Sequence, residues 1–167
     1  EVKSLEPIAG IQGTQISVKN LFYNIPARRK FLKKSDTEQR KIVHLTRQFM
    51  LSNPDIGFSL SSNGKEVYKV SPNTLDVRIK DIFGLKMSES LLKVDLVKPP
   101  YQISGFTGNL STTKKRQGDQ YLFLNGRFIK DRLLSSAVFS AYKSLISRGE
   151  FPFFVLFLQV PTDIVDI

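Results

Sequence analysis

Asn20-Leu21-Phe22-Tyr23-Asn24-Ile25-Pro26-Ala27-Arg28-Arg29-Lys30-Phe31-Leu32 is the stretch on which the reading of this chain turns. Upstream, Ile16 and Val18 alternate with Gln15, Ser17 and Lys19, the period of a half-buried strand over Thr14 to Lys19. Pro26 suits the first turn of a helix, where a missing N–H removes no hydrogen bond, and it pushes Ile25 toward an extended conformation. Arg28, Arg29, Lys30, Lys33 and Lys34 follow, interrupted by Phe31 and Leu32. On composition alone this is a solvated basic helix with two apolar anchors.

At 167 residues the chain is long enough for one large domain or two small ones. Its 41% hydrophobic residues suffice for a core, and its 24% charged residues are ordinary for a globular protein. No apolar run is long enough to span a bilayer as a helix, and the run from Phe151 to Val160 has the length of a buried strand. The absence of a starting Met and of a secretory signal gives the expectation of a stretch cut from a longer chain. Cysteine is absent, which excludes disulfides and thiolate metal sites, and a single histidine makes no zinc site. That composition is compatible with a reducing, intracellular compartment. The net charge of +10 predicts attraction to polyanions through phosphate contacts that weaken with salt.

Along the chain, Ser35-Asp36-Thr37-Glu38 reads as a capping box, with the Ser35 hydroxyl accepting the Glu38 N–H. The helix it opens carries Ile42, Val43, Leu45, Phe49 and Met50 as its buried face and ends at Asn53-Pro54. His44 falls between core-facing positions and reads as a surface or boundary histidine. Phe58 to Val70 is a hairpin around Asn63-Gly64, and Ser71-Pro72-Asn73 marks a boundary. Val77 to Phe83 predicts a helix stopped at Gly84, and strands follow at Leu91 to Val97 and Tyr101 to Gly108. Asn109 to Asp119 shows no periodicity and reads as a mobile loop. Tyr121 to Leu124 is a strand, Asn125-Gly126 a turn, and Asp131 the cap of a helix that Gly149 stops. Phe153 to Val160 reads as a strand covered on both sides. The order points to an α+β class with a crossover unit.

Gly13-Thr14 and the strand after it, then Leu-Phe-Tyr-Asn-x-Pro-Ala-Arg-Arg-Lys-Phe-Leu over Leu21 to Leu32, resemble the signature of the MutL family of DNA mismatch-repair ATPases. Phe123-Leu124-Asn125-Gly126-Arg127-Phe128-Ile129-Lys130-Asp131-Arg132-Leu133-Leu134 resembles a second long run of that family. Two long matches in order are far more specific than one short motif. The resemblance covers essentially the whole chain. It implies that residues 1–73 are the tail of a gyrase-, Hsp90-, histidine-kinase- and MutL-type (GHKL) ATPase domain. Residues 74–167 would then be a transducer domain, a two-layer α/β sandwich like domain 2 of ribosomal protein S5, with a left-handed crossover.

The resemblance further implies that Gly13 and Thr14 approach the nucleotide, although a strand-initiating threonine is the commoner meaning of such a residue. ATP and Mg2+ are implied for the intact protein, with neither expected on this stretch alone. The family's water-activating glutamate, magnesium-holding asparagine, glycine-rich lid and His-Pro-x-Lys lysine have no counterpart in these residues. Asp163 and Asp166 read as solvated acids rather than an acid–base pair. By the same resemblance DNA is gripped along transducer cations without sequence preference, with Arg127 foremost, because guanidinium binds phosphate bidentately. Lys114, Lys115, Arg116 and Arg132 come next, then Lys130. A solubilising loop remains an alternative for Lys114 to Arg116, and a surface ion pair to Asp131 or Glu150 for Arg132. Arg28, Arg29 and Lys30 either serve DNA or pair across a domain junction. The implied partners are a MutS-type mismatch-recognition protein, a nuclease or helicase, and a second copy or paralogue forming a dimer. The implied location is intracellular, with no membrane. The rival reading is a non-enzymatic RNA-binding module of S5-like fold. On the family reading, the purified 167 residues turn over ATP at background rate in a phosphate-release assay, and turnover above background refutes the assignment of the missing groups.

Overall fold

The structure, a computed structural model, describes residues 13–165, and two compact units divide the chain after Glu38. Asp166 lies outside the described residues. In the first unit Pro26 opens a short helix, α1 (Pro26–Lys30), and Ile25 before it is in a non-helical conformation (φ −130°, ψ 74°). The basic residues Arg28, Arg29 and Lys30 fill its last turn, where they complement the carbonyl end of the helix. The strand expected over Thr14 to Lys19 does not form: these residues join no ladder among the described residues, and Ile16 and Val18 stand 82% and 73% exposed. Alternation yields a strand only where a neighbour supplies the ladder and a surface covers one face.

The helix α2 (Ser35–Ser52) starts one residue earlier than a capping box at Ser35 requires. The Lys34 carbonyl accepts the N–H groups of Thr37 and Glu38, at 2.8 and 3.1 Å. The Glu38 carboxylate reaches back to the Lys33 N–H at 3.0 Å. The carboxylate half of the expected box is thus present but falls on Lys33 rather than Ser35.

In the second unit a hairpin of β1 (Phe58–Ser62) and β2 (Lys65–Val70) turns at Asn63-Gly64, both with positive φ. This is the turn that the twist of paired strands favours. Next come α3 (Leu75–Phe83), ended by Gly84 at φ 90°, and the short α4 (Leu85–Ser88). The main sheet is built from β3 (Leu91–Lys98), β4 (Tyr101–Gly108), β5 (Gln120–Leu124), β6 (Arg127–Ile129) and β7 (Phe154–Gln159). Helix α5 (Arg132–Tyr142) lies between β6 and β7 in sequence and ends well before Gly149, the stop expected from sequence. Its last residue is pinned instead, because the buried Tyr142 hydroxyl donates to the Gly108 carbonyl at 2.8 Å. At its start the Asp131 carboxylate accepts the Leu134 N–H at 2.7 Å, the cap expected there.

The strand order is β3-β4-β7-β5-β6, with β7 antiparallel to β4 and parallel to β5. The central strands β5 and β7 are buried on both faces, as the near-continuous apolar run of β7 requires. Leu122, Phe154 and Leu156 pack with Leu134, Val138 and Phe139 of α5, so sheet and α5 form the expected two-layer α/β sandwich. On the opposite face Tyr121, Phe123 and Val155 meet Met50 and Leu51 of α2, Val70 of β2, and Ile79 and Ile82 of α3. Gly105 (φ 127°) permits β4 to lie against β7, because a Cβ there would stand 2.2 Å from the Val155 carbonyl oxygen.

A buried cation holds the α2–hairpin–α3 layer together. Arg78 of α3 is fully buried. It donates to the carbonyls of Met50, Pro54, Ile56 and Ser71 at 2.8 to 3.0 Å, and its guanidinium lies 5.6 Å from the Phe58 ring centroid. Removing the fork strands these carbonyls, so Arg78→Met is expected to cost on the order of 3 kcal/mol of unfolding free energy. Arg78→Lys falls between the two, since one ammonium cannot span four acceptors. Urea denaturation measures both, and a wild-type midpoint for Arg78→Met refutes the clamp.

Candidate nucleic-acid interface

Arg40, His44 and Arg47 recur at helical spacing and share one side of α2. The surface they meet is aromatic. The His44 ring centroid lies 5.7 Å from that of Tyr121 and 6.4 Å, edge-on, from that of Phe128. Arg47 Nε donates to the Tyr68 hydroxyl at 2.7 Å, and its guanidinium sits 5.5 Å from the Phe83 centroid. These partners explain a departure from expectation: Ile42, Leu45 and Phe49, expected to be buried, are 54%, 51% and 54% exposed. Rings that accept a guanidinium and an imidazole have turned the other side of α2 inward.

The segment from Asn109 to Asp119, expected to be a loop without regular structure, is anchored at several points. Leu110–Thr112 is a 3-10 turn capped by the Asn109 side chain. The backbones of Lys114 and Phe151 exchange hydrogen bonds at 3.0 and 2.8 Å. Asp119, largely buried, pairs with Lys114 Nζ and stands 3.9 Å from Arg47. The Gln120 side chain accepts from the Gly118 N–H and donates to the Pro152 carbonyl. Arg116 and Gln117 are therefore carried on an anchored segment.

Two adjoining clefts result. The first, about 740 Å³, is walled by α2 and the 114–119 segment and brings together Arg40, Arg47, Lys114 and Arg116. The second, about 500 Å³, is walled by the same segment, β6 and the start of α5, and is lined by Lys130, Arg132, Phe128, Ile129 and Ser135 among others. His44, Gln117 and Gly118 line both. Four cations expected from sequence thus line the pair: Lys114 and Arg116 in one cleft, Lys130 and Arg132 in the other. Lys115 and Arg127 are exposed and line neither. Arg127 opens β6, three residues before Lys130, or about 10 Å along an extended chain. The acids considered as partners for Arg132 are engaged elsewhere: Asp131 caps α5, and Glu150 accepts from Thr113 and from the Ser147 N–H. Gly13 and Thr14 belong to the first unit, where both are exposed and a Cβ on Gly13 would meet no atom within 4 Å.

Sequence reasoning missed Arg40, His44 and Arg47 as a group. Their spacing is visible, but the Ile42, Leu45 and Phe49 stripe beside them is the more conspicuous helical pattern. It also missed Asn125, whose side chain exchanges two hydrogen bonds with the Val160 backbone and ties the Asn-Gly turn to the end of β7. At the centre of the site burial, followed by the charges of Lys130 and Arg47, holds the His44 pKa below its ordinary value. The neighbouring Tyr121 phenol is pushed up to about 12, chiefly by burial.

A family model described as "DNA mismatch repair protein, C-terminal domain" matches residues 79–167. The DNA mismatch repair protein MutL of Parabacteroides distasonis is 40% identical over 164 residues, which are 98% of this chain and 27% of that protein. The MutL of Christiangramia forsetii is 40% identical over 167 residues, again 27% of its length. The chain thus spans about a quarter of these relatives. Among solved structures, the ATPase domain of the mismatch-repair endonuclease MutL from Aquifex aeolicus superposes with a TM-score of 0.68 at 29% identity, covering 89% of this chain and 53% of that one. The same domain complexed with ADP gives a TM-score of 0.61 at 30% identity, covering 86% and 51%. These matches give the RNA-binding alternative no support.

The His44 environment has a consequence for stability. As pH falls below 6.5, the unfolded chain takes up a proton at this residue while the folded one resists, so stability declines with falling pH. His44→Asn lacks that component. Urea midpoints measured between pH 7 and pH 5 should fall more steeply for the parent than for the variant, and parallel curves exclude His44 as the source.

Proposed function

The chain belongs to the MutL family of DNA mismatch-repair proteins, and we propose that in the intact protein its second unit grips the backbone of DNA without reading sequence. The carrying observation is the pair of clefts that gathers Arg40, Arg47, Lys114 and Arg116 beside Lys130 and Arg132, in a chain of net charge +10. Cations fixed on an anchored segment and at a strand–helix junction suit phosphates spaced along a groove. Contacts of this kind position a backbone and carry no base information. Arg127 and Lys115 extend this track to flanking phosphates.

In this reading the intact protein binds ATP, which the ADP complex of the similar Aquifex aeolicus domain supports, and Gly13 and Thr14 approach the nucleotide. The open backbone at Gly13 and the exposed Thr14 hydroxyl suit a phosphate contact. On the same reading Mg2+ arrives with the nucleotide in the intact protein; among the described residues no group of three or more His, Asp or Glu side chains suited to a metal occurs. The sheet with α5 transmits the nucleotide-driven change. A dimer of the intact protein, homomeric or with a paralogue, clamps DNA and links a MutS-type protein to a nuclease or helicase. It works inside the cell. No helix of the described residues is long and apolar enough to cross a membrane.

Charge reversal tests the grip. Arg116→Glu and Arg132→Glu are each expected to weaken binding of mixed-sequence DNA at low salt. Each should also lower the slope of log K against log salt by roughly 1 to 2, one phosphate contributing about 0.9. Arg127→Glu measures whether the footprint continues along β6. Parent-like affinity and slope in both cleft variants refute the proposal.

A further inference from the structure

The second cleft holds more than cations. Its walls include the His44 and Phe128 rings and the apolar side chains of Ile129 and Phe139, with the Ser135 and Ser136 hydroxyls beside Lys130 and Arg132. A phosphate backbone has no use for aromatic and aliphatic walls. A base inside a duplex cannot use them either, because both of its faces are already stacked. A volume of about 500 Å³ lies within the range of small-ligand pockets. Its make-up, rings with cations and hydroxyls beside an Asp131 carboxylate that caps α5, matches a nucleotide whose base has left the stack. His44, held below its ordinary pKa by burial, is an uncharged ring at neutral pH and offers a face rather than another cation. The groove continues past His44 into the first cleft, where the exposed Arg116 can meet a phosphate on the same strand.

We propose that the cleft between His44, β6 and the start of α5 is a pocket for one unstacked nucleotide of a single strand, its base against His44 and Phe128 and its phosphate on Lys130 and Arg132. This rests on the backbone grip proposed above and adds a preference to it. The strand, not a free nucleotide, is the ligand, because the shared wall joins the pocket to the cations of the first cleft.

The test compares the parent with Ser136→Trp, which fills the pocket from an exposed position, and with His44→Leu, which keeps bulk but removes the ring. Affinities are measured for a short single-stranded oligonucleotide, for the duplex of the same sequence and for free deoxynucleoside monophosphates. The single strand also carries 5-iodouracil for photo-crosslinking and peptide mapping. The expected result is a roughly tenfold fall in the ratio of single-strand to duplex affinity in both variants, within the 1–3 kcal/mol of one base–aromatic stack. Crosslinks in the parent should map to His44 or Phe128. An unchanged ratio with crosslinks elsewhere overturns the pocket and leaves the backbone grip standing. Monophosphates that compete as well as the strand overturn the assignment to a strand. Failure of the parent to bind either polymer overturns the grip itself, and the pocket with it.

Discussion

Arg78 is the constraint on which the second unit depends. A guanidinium with no exposed surface is tolerable only where its donors find acceptors. Here the two terminal nitrogens find carbonyls at the end of α2 (Met50), in the connection beyond it (Pro54 and Ile56) and after β2 (Ser71), while the buried Nε has no hydrogen-bond partner. One side chain fixes where α2 stops, where the hairpin starts and where it returns to α3. Burial draws the Arg78 pKa down, opposed by the charges of Asp81 and Asp55. Because α2 is fixed from this end, His44 meets Tyr121 and Phe128 of β5 and β6 while Arg47 meets Tyr68 and Phe83, and the clefts follow.

The electrostatics of the clefts are a balance rather than an accumulation of charge. Asp119 lies beneath Lys114 and near Arg47 and neutralises part of the charge there. Its role is positional, holding the 114–119 segment against α2 while Arg116 remains exposed. Partly exposed ion pairs contribute little stability by themselves, and this one acts together with the Phe151 bridge and the Gln120 side chain. Lys130 and Arg132 are displayed differently, on a three-residue strand exit and a capped helix start.

Elements defined by local chemistry were legible in the sequence. Both Asn-Gly turns, the Gly84 stop, the Asp131 cap and the buried run of β7 could be read from a few neighbouring residues. What could not be read depends on partners distant in sequence. Met50 was placed correctly on the buried side of α2, but Ile42, Leu45 and Phe49 were not, because the aromatic partners of that helix lie some 20 to 80 residues away, from Tyr68 to Phe128. The 109–119 segment looked featureless because Phe151 and Pro152 supply its order. The basic residues were named from the resemblance, but only their distribution over two clefts separates Lys114, Arg116, Lys130 and Arg132 from Arg127 and Lys115. The strand over Thr14 to Lys19 failed for the complementary reason, an alternation with no ladder to join among the described residues.

The position of β7 also governs the order of assembly. In sequence it follows every other strand of its sheet, yet in space it lies between β4 and β5. Two hairpins, β3 with β4 and β5 with β6, can close locally as the chain emerges from the ribosome, but they share no ladder until residues 154–159 arrive. Until then Leu122 and Tyr121 have no neighbour on that edge, and α5 has half a floor to sit on. Folding of the sheet therefore ends with insertion of an apolar strand between two waiting halves, a non-local step of the kind that slows folding and leaves nascent chains open to aggregation.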